Sequence, residues 1–100
     1  MEFVYGPTLA AYMDKKGKKH IVIDVSTANT SDIEITEIFL RFAKEEHCRY
    51  LMEKKKFRKV ETERGWILLP NYHIDYEPTV TLDMAKFLCF HRFVFKGMKV

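Results

Sequence analysis

The stretch Ile33-Glu34-Ile35-Thr36-Glu37-Ile38-Phe39-Leu40-Arg41-Phe42-Ala43-Lys44-Glu45-Glu46-His47-Cys48-Arg49-Tyr50-Leu51-Met52-Glu53 decides the fold. Two periods compete in it. Ile33, Ile35 and Glu37 alternate with Glu34, Thr36 and Ile38, as in a strand. Ile35, Ile38, Phe39 and Phe42 also share a helical face, and Ser31 followed by Glu34 fits a capping box. Ile and Phe dominate residues 33–42, so a strand is expected there, followed by a helical turn over 44–53. One amphipathic helix over the whole segment is the alternative.

Upstream, Gly6-Pro7 signals a turn. Thr8 can then cap a short helix to about residue 16, with Leu9, Tyr12 and Met13 at helical spacing. Gly17 suits a left-handed helix end, and Lys15, Lys16, Lys18 and Lys19 suit the negative end of the helix dipole. Ile21, Ile23 and Val25 alternate within a β-branched run that predicts a strand over 20–26. The small polar residues 27–32 predict a loop. Downstream, strands over 57–62 and 66–69 flank Glu63-Arg64-Gly65, a hairpin-type loop, and Pro70 ends the second strand. Tyr72, Ile74 and Tyr76 alternate, Glu77-Pro78 punctuates, and residues 79–84 and 93–98 alternate again. The expected class is α+β: one short N-terminal helix packed on a mostly antiparallel β structure, in a single domain of residues 1–100.

The 100 residues provide one modest core, because a chain this short buries only about two-thirds of its unfolded surface. The eight phenylalanines are expected to serve that core. No apolar run approaches the ~20 residues of a membrane helix, and Met1-Glu2-Phe3-Val4-Tyr5 lacks the basic start and apolar run of a signal peptide. The sequence is therefore expected to be cytoplasmic, with no membrane partner. The net charge is +3. Residues 1–50 hold seven basic and eight acidic residues, and residues 51–100 hold ten and six, so the basic excess lies in the second half. That excess is an ordinary solubility charge.

Candidate chemistry is sparse. There is no G-x-S-x-G and no phosphate-cradling glycine loop, so no catalytic residue is assigned and no enzymatic activity is expected. Glu45-Glu46, Glu61 with Glu63, and Asp75 with Glu77 lie in polar stretches and read as solvated surface. Cys89 and His91 stand two apart, so on one strand both could reach the same ion, with Cys48 as a third donor. The competing reading makes Cys89 a small core hydrophobe among Phe87, Phe90, Phe93 and Phe95. Lys54, Lys55, Lys56, Arg58 and Lys59 form a basic run that could touch phosphates; a solvated turn explains it as well.

The order of segments resembles the HesB-like group, comprising the A-type iron–sulfur carriers and a divergent branch with a cysteine-pair or selenium motif. The resemblance runs through the helix at Leu9 and the stretch Gly17-Lys18-Lys19-His20-Ile21-Val22-Ile23-Asp24-Val25. It continues at Phe39-Leu40-Arg41-Phe42, Phe57-Arg58-Lys59-Val60-Glu61 and Gly65-Trp66-Ile67-Leu68-Leu69. It closes with Val80-Thr81-Leu82-Asp83-Met84-Ala85-Lys86-Phe87-Leu88 and Phe93-Val94-Phe95-Lys96-Gly97-Met98-Lys99-Val100. It implies a HesB-like fold. The family's thiolate site has one cysteine in the loop after the first strand and a C-x-C pair near the C-terminus. Here residues 27–32 hold no cysteine, and only Cys89-x-His91 echoes the pair. Clusters are held mainly by thiolates, so no cofactor is expected. An iron–sulfur cluster or zinc at Cys89 and His91, in iron–sulfur biogenesis, is the alternative. The expected activity is self-association, or binding of an unidentified protein partner, through a β edge or the Phe-rich strand. Nucleic-acid binding through Lys54, Lys55, Lys56, Arg58 and Lys59 is the weaker alternative.

Overall fold

In the computed structural model of the protein, which describes residues 1–100 apart from the Thr30 side chain, residues 33–53 resolve into a strand and then a helix. The chain divides into two compact units: Met1–Lys18 with Ile74–Lys99, and Lys19–His73 with Val100.

In the second of these, β2 (His20–Thr30) pairs antiparallel with β3 (Ile33–Ala43) over eleven positions, from His20 against Ala43 to Thr30 against Ile33. The β-branched residues of both strands fit this pleated ribbon. Composition predicts a loop over 27–32, but only Ser31 and Asp32 turn, with Ser31 at φ 30°. Thr27 faces Thr36 in the register and their hydroxyls lie 3.3 Å apart, a cross-strand pair that favours continued pairing. Helix α2 (Glu45–Lys54) follows with no side-chain cap, and Glu45 and Glu46 place negative charge in its first turn. The 33–43 strand ends where this helix begins, so the single long helix is excluded. Strands β4 (Arg58–Glu61) and β5 (Trp66–Leu69) form the next hairpin. Its loop is held by Thr62, whose N–H donates to Gly65 O at 2.8 Å. Gly65 has φ 150°, and a Cβ there would collide with the Lys19 carbonyl oxygen. The sheet order is β3-β2-β5-β4, with β2 and β5 parallel. Cys48 and Leu51 of α2 pack with Val22 and Leu68 on one face. Ile21, Ile23, Ile67 and Leu69 are also fully buried.

In the other unit, β1 (Glu2–Tyr5) lies parallel to β6 (Asp75–Phe87), which pairs antiparallel with β7 (Phe90–Lys99). Glu77-Pro78 does not end a strand. The register shifts between Tyr76 and Thr81, and this irregularity absorbs Pro78 beside Gly97, at φ 96°. Helix α1 (Pro7–Lys16) packs Leu9 and Met13 on β6, whose Val80, Leu82 and Met84 are buried at alternate positions. Gly17 ends the helix left-handed, as expected, at φ 66°. Thr8 is not the cap; Gly6 occupies that position and Pro7 fills the first turn, where its missing N–H costs nothing. The cap comes instead from across the sheet. Asp83 Oδ1 accepts the Leu9 N–H at 3.0 Å and the Met84 N–H at 2.8 Å.

The class is α+β, with two corrections. There are two helices, the second between β3 and β4, and although the pairing is mostly antiparallel, as expected, each sheet is mixed, with β1–β6 and β2–β5 parallel. No short sequence pattern announces β1 or its parallel pairing with β6. Fold-specific likeness to the HesB-like group does not follow from these elements.

A Cβ on Gly6 would overlap the Asp83 carboxylate. Gly6→Ala should therefore cost about 1–3 kcal/mol in urea unfolding, the usual range for overpacking. Asp83→Ala should cost about 1–2 kcal/mol through loss of the cap. In the Asp83→Ala background the Gly6→Ala cost should largely vanish, because the colliding atoms are gone; additive costs would refute this account of the joint.

Candidate functional site

The sequence-derived candidates separate once folded. Strand β6 ends at Phe87 and β7 begins at Phe90, so Leu88 and Cys89 form the two-residue turn between them. Cys89 is therefore not on a strand beside His91, and it is exposed rather than packed among phenylalanines. His91 lies on β7, opposite Lys86, with its ring centroid 4.8 Å from that of Tyr12. Cys48 is fully buried on α2 in the other unit, and burial pushes its thiol above the ordinary value. A protonated core thiol is a poor ligand. Among the described residues, no three His, Cys, Asp or Glu side chains gather as a metal site would require.

The basic run is dispersed along one connection. Lys54 closes α2, Lys55 caps it, and Lys56 adopts φ 60° before Arg58 and Lys59 enter β4. Lys59 is engaged within its own unit: its ammonium lies 4.5 Å from the Trp66 ring centroid and 3.5 Å from Glu61. The guanidinium of Arg49, paired with Glu45 at 3.0 Å, lies 5.5 Å from the same indole centroid. His20 stacks on Trp66 at 4.6 Å, and its Nδ1 accepts the Trp66 backbone N–H at 3.0 Å. Two cations and an imidazole thus gather on one tryptophan. Desolvation lowers the His20 pKa, which Glu45 opposes by favouring the cation and Lys19 reinforces.

A cleft of about 980 Å³ lies within the first unit, between α1 and the tip of the β6–β7 hairpin. The period of β6 explains it. Val80, Leu82 and Met84 face α1, and Lys86 continues that alternation toward the tip. Tyr12, Lys15 and Lys16 supply the helix side; Lys86, Leu88 and His91 supply the hairpin side. Three ammonium groups in one cleft make it attractive to anions. Sequence patterning attributes Lys15 and Lys16 to helix termination and gives Lys86 no partner. The period-two link from Met84 to Lys86 is the signal that could have joined them.

At the tip, three large apolar side chains are exposed: Phe87 at 63%, Leu88 at 78% and Phe90 at 58%. Leu88 also has φ 57°, a conformation that a branched aliphatic residue rarely adopts. A second exposed apolar row, Ile33, Ile35 and Phe39, lies along β3, the outermost strand of its sheet.

Two expectations follow. One thiol, Cys89, should react with an aromatic disulfide reagent in the native protein, while Cys48 reacts only on unfolding. His20 is favoured neutral in the fold, so its contribution to stability is full above about pH 6.5 and lost as the pH falls from there through the folded-state pKa. Thermal unfolding between pH 8 and pH 5 should show that loss, and His20→Asn, which keeps an acceptor but cannot titrate, should flatten it.

No protein-family model, curated protein or solved structure matches this chain.

Proposed function

We propose that the protein is a non-enzymatic, HesB-like association module without the family's thiolate cluster site, and that its outer strand β3 pairs with a second copy of the chain. One observation carries this reading. β3 is eleven residues long, ends its sheet, and displays Ile35 and Phe39 to solvent. A long edge strand offers a row of backbone donors and acceptors, and natural proteins blunt such edges with charge, proline or brevity. The other edge of the same sheet is blunted in this way: β4 has four residues and carries Arg58 and Lys59. β3 mixes Glu34, Glu37 and Arg41 with its apolar residues, and it holds no proline. Antiparallel pairing of two identical edges generates a two-fold axis, the commonest symmetry of small oligomers. It would satisfy the edge's backbone groups and cover the Ile35 and Phe39 row.

Sedimentation velocity from micromolar to millimolar concentration tests the proposal. A monomer–dimer equilibrium is expected. Ile35→Lys should weaken it by at least about tenfold, because each substitution occurs twice across the axis. The site is exposed, so the variant should unfold within about 0.5 kcal/mol of the parent. A strict monomer throughout, or a dimer indifferent to Ile35→Lys, refutes pairing through β3.

A further inference from the structure

We propose that the tip of the β6–β7 hairpin docks on an anionic phospholipid surface, with Leu88 and the flanking Phe87 and Phe90 entering the interface and Lys15, Lys16 and Lys86 meeting headgroup phosphates. The tip is the most exposed concentration of large apolar surface in its unit. Folding does not account for it. Leu88 sits at φ 57° in a two-residue turn, where Gly, Asn or Asp would relieve the backbone. A leucine placed against that preference, with most of its surface in solvent, contributes little to the core. It is suited instead to apolar surroundings outside the chain.

Charge identifies those surroundings. The cleft behind the tip is lined by Lys15, Lys16 and Lys86, with His91 beside them, and no carboxylate is among its lining residues. Apolar side chains at the extremity with ammonium groups one layer behind match the order of an anionic leaflet, acyl chains beneath phosphates. A neutral apolar protein surface would leave the three lysines uncompensated. A free phosphate would leave the phenylalanines and Leu88 in water. Among the described residues no helix is long and apolar enough to cross a membrane, and surface docking by a hairpin tip requires none.

The test is co-sedimentation of the full chain with vesicles of phosphatidylcholine alone and of phosphatidylcholine mixed with phosphatidylserine. Binding should be confined to the mixed vesicles and should weaken as salt is raised. Each of Lys15→Gln, Lys16→Gln and Lys86→Gln should reduce affinity about fivefold. Leu88→Asn separates docking from folding. It should hold or raise the thermal midpoint, because Asn tolerates positive φ, yet lower vesicle affinity about tenfold. Retention on phosphatidylcholine alone, absence of retention, or full displacement by inorganic phosphate overturns the proposal. So does an oligomer that Leu88→Asn dissolves while vesicles fail to bind, which would make a second copy the occupant of the tip.

Discussion

The carboxylate of Asp83, seated at the N-terminus of α1, is the joint on which the first unit depends. A helix start leaves backbone N–H groups without partners, and here the local residues, Gly6 and Pro7, provide no side-chain acceptor. Asp83 supplies one from β6, seventy-four positions along the chain from Leu9. The Gly6 N–H donates to Leu82 O at 2.7 Å, so strand and helix are tied to adjacent residues of β6. This contact requires glycine at position 6 for lack of space, since its backbone, at φ −70°, is ordinary. With α1 held at this end, Leu9 and Met13 cover Val80, Leu82 and Met84, and the helix flank carrying Tyr12, Lys15 and Lys16 comes to face the hairpin tip. The cleft is thus a consequence of a capping interaction.

The second unit is organised by apolar packing rather than by one polar contact. α2 places Cys48 and Leu51 over Val22 and Leu68, and Met52, Phe57 and Trp66 pack around them. The tryptophan joins strand to helix, because Arg49 of α2, Lys59 of β4 and His20 of β2 all reach its ring. Distal to this core the β2–β3 ribbon continues with little cover, and its side chains from Ile33 to Phe39 are largely exposed. Burial therefore divides along the same two strands: one end is covered by α2, the other is left accessible at an edge.

Much of this was legible because it is local. The alternation in residues 20–26, 66–69 and 79–84, the left-handed Gly17 and the hairpin at Gly65 all express short-range preferences, and the structure contains each. Residues 27–32 were misleading, because their polar composition matches a loop as well as an exposed ribbon; the Thr27–Thr36 pairing that decides the matter lies on the other strand. Cys89 misled for a related reason. A run containing Phe87, Phe90, Phe93 and Phe95 looks like one strand, and nothing in its composition marks Leu88-Cys89 as the turn. Glu77-Pro78 resembled a stop, yet three-residue slack in the β6–β7 register carries the strand past it.

By itself the sequence determined the α+β class, because side-chain branching and period-two alternation act within a few residues. It favoured a strand over residues 33–42 but left one long helix open, since both periods fit the run, and the pairing with β2 decided for the strand. It also limited the chain's thiol chemistry, since two cysteines are a matter of count. Tertiary structure alone decided that Cys48 is core and Cys89 surface, that β1 and β5 join their sheets in parallel, and that Lys86 shares a cleft with Lys15 and Lys16. These depend on contacts between residues far apart in sequence. No local preference encodes such contacts, and only the packing of distant strands and helices selects among them.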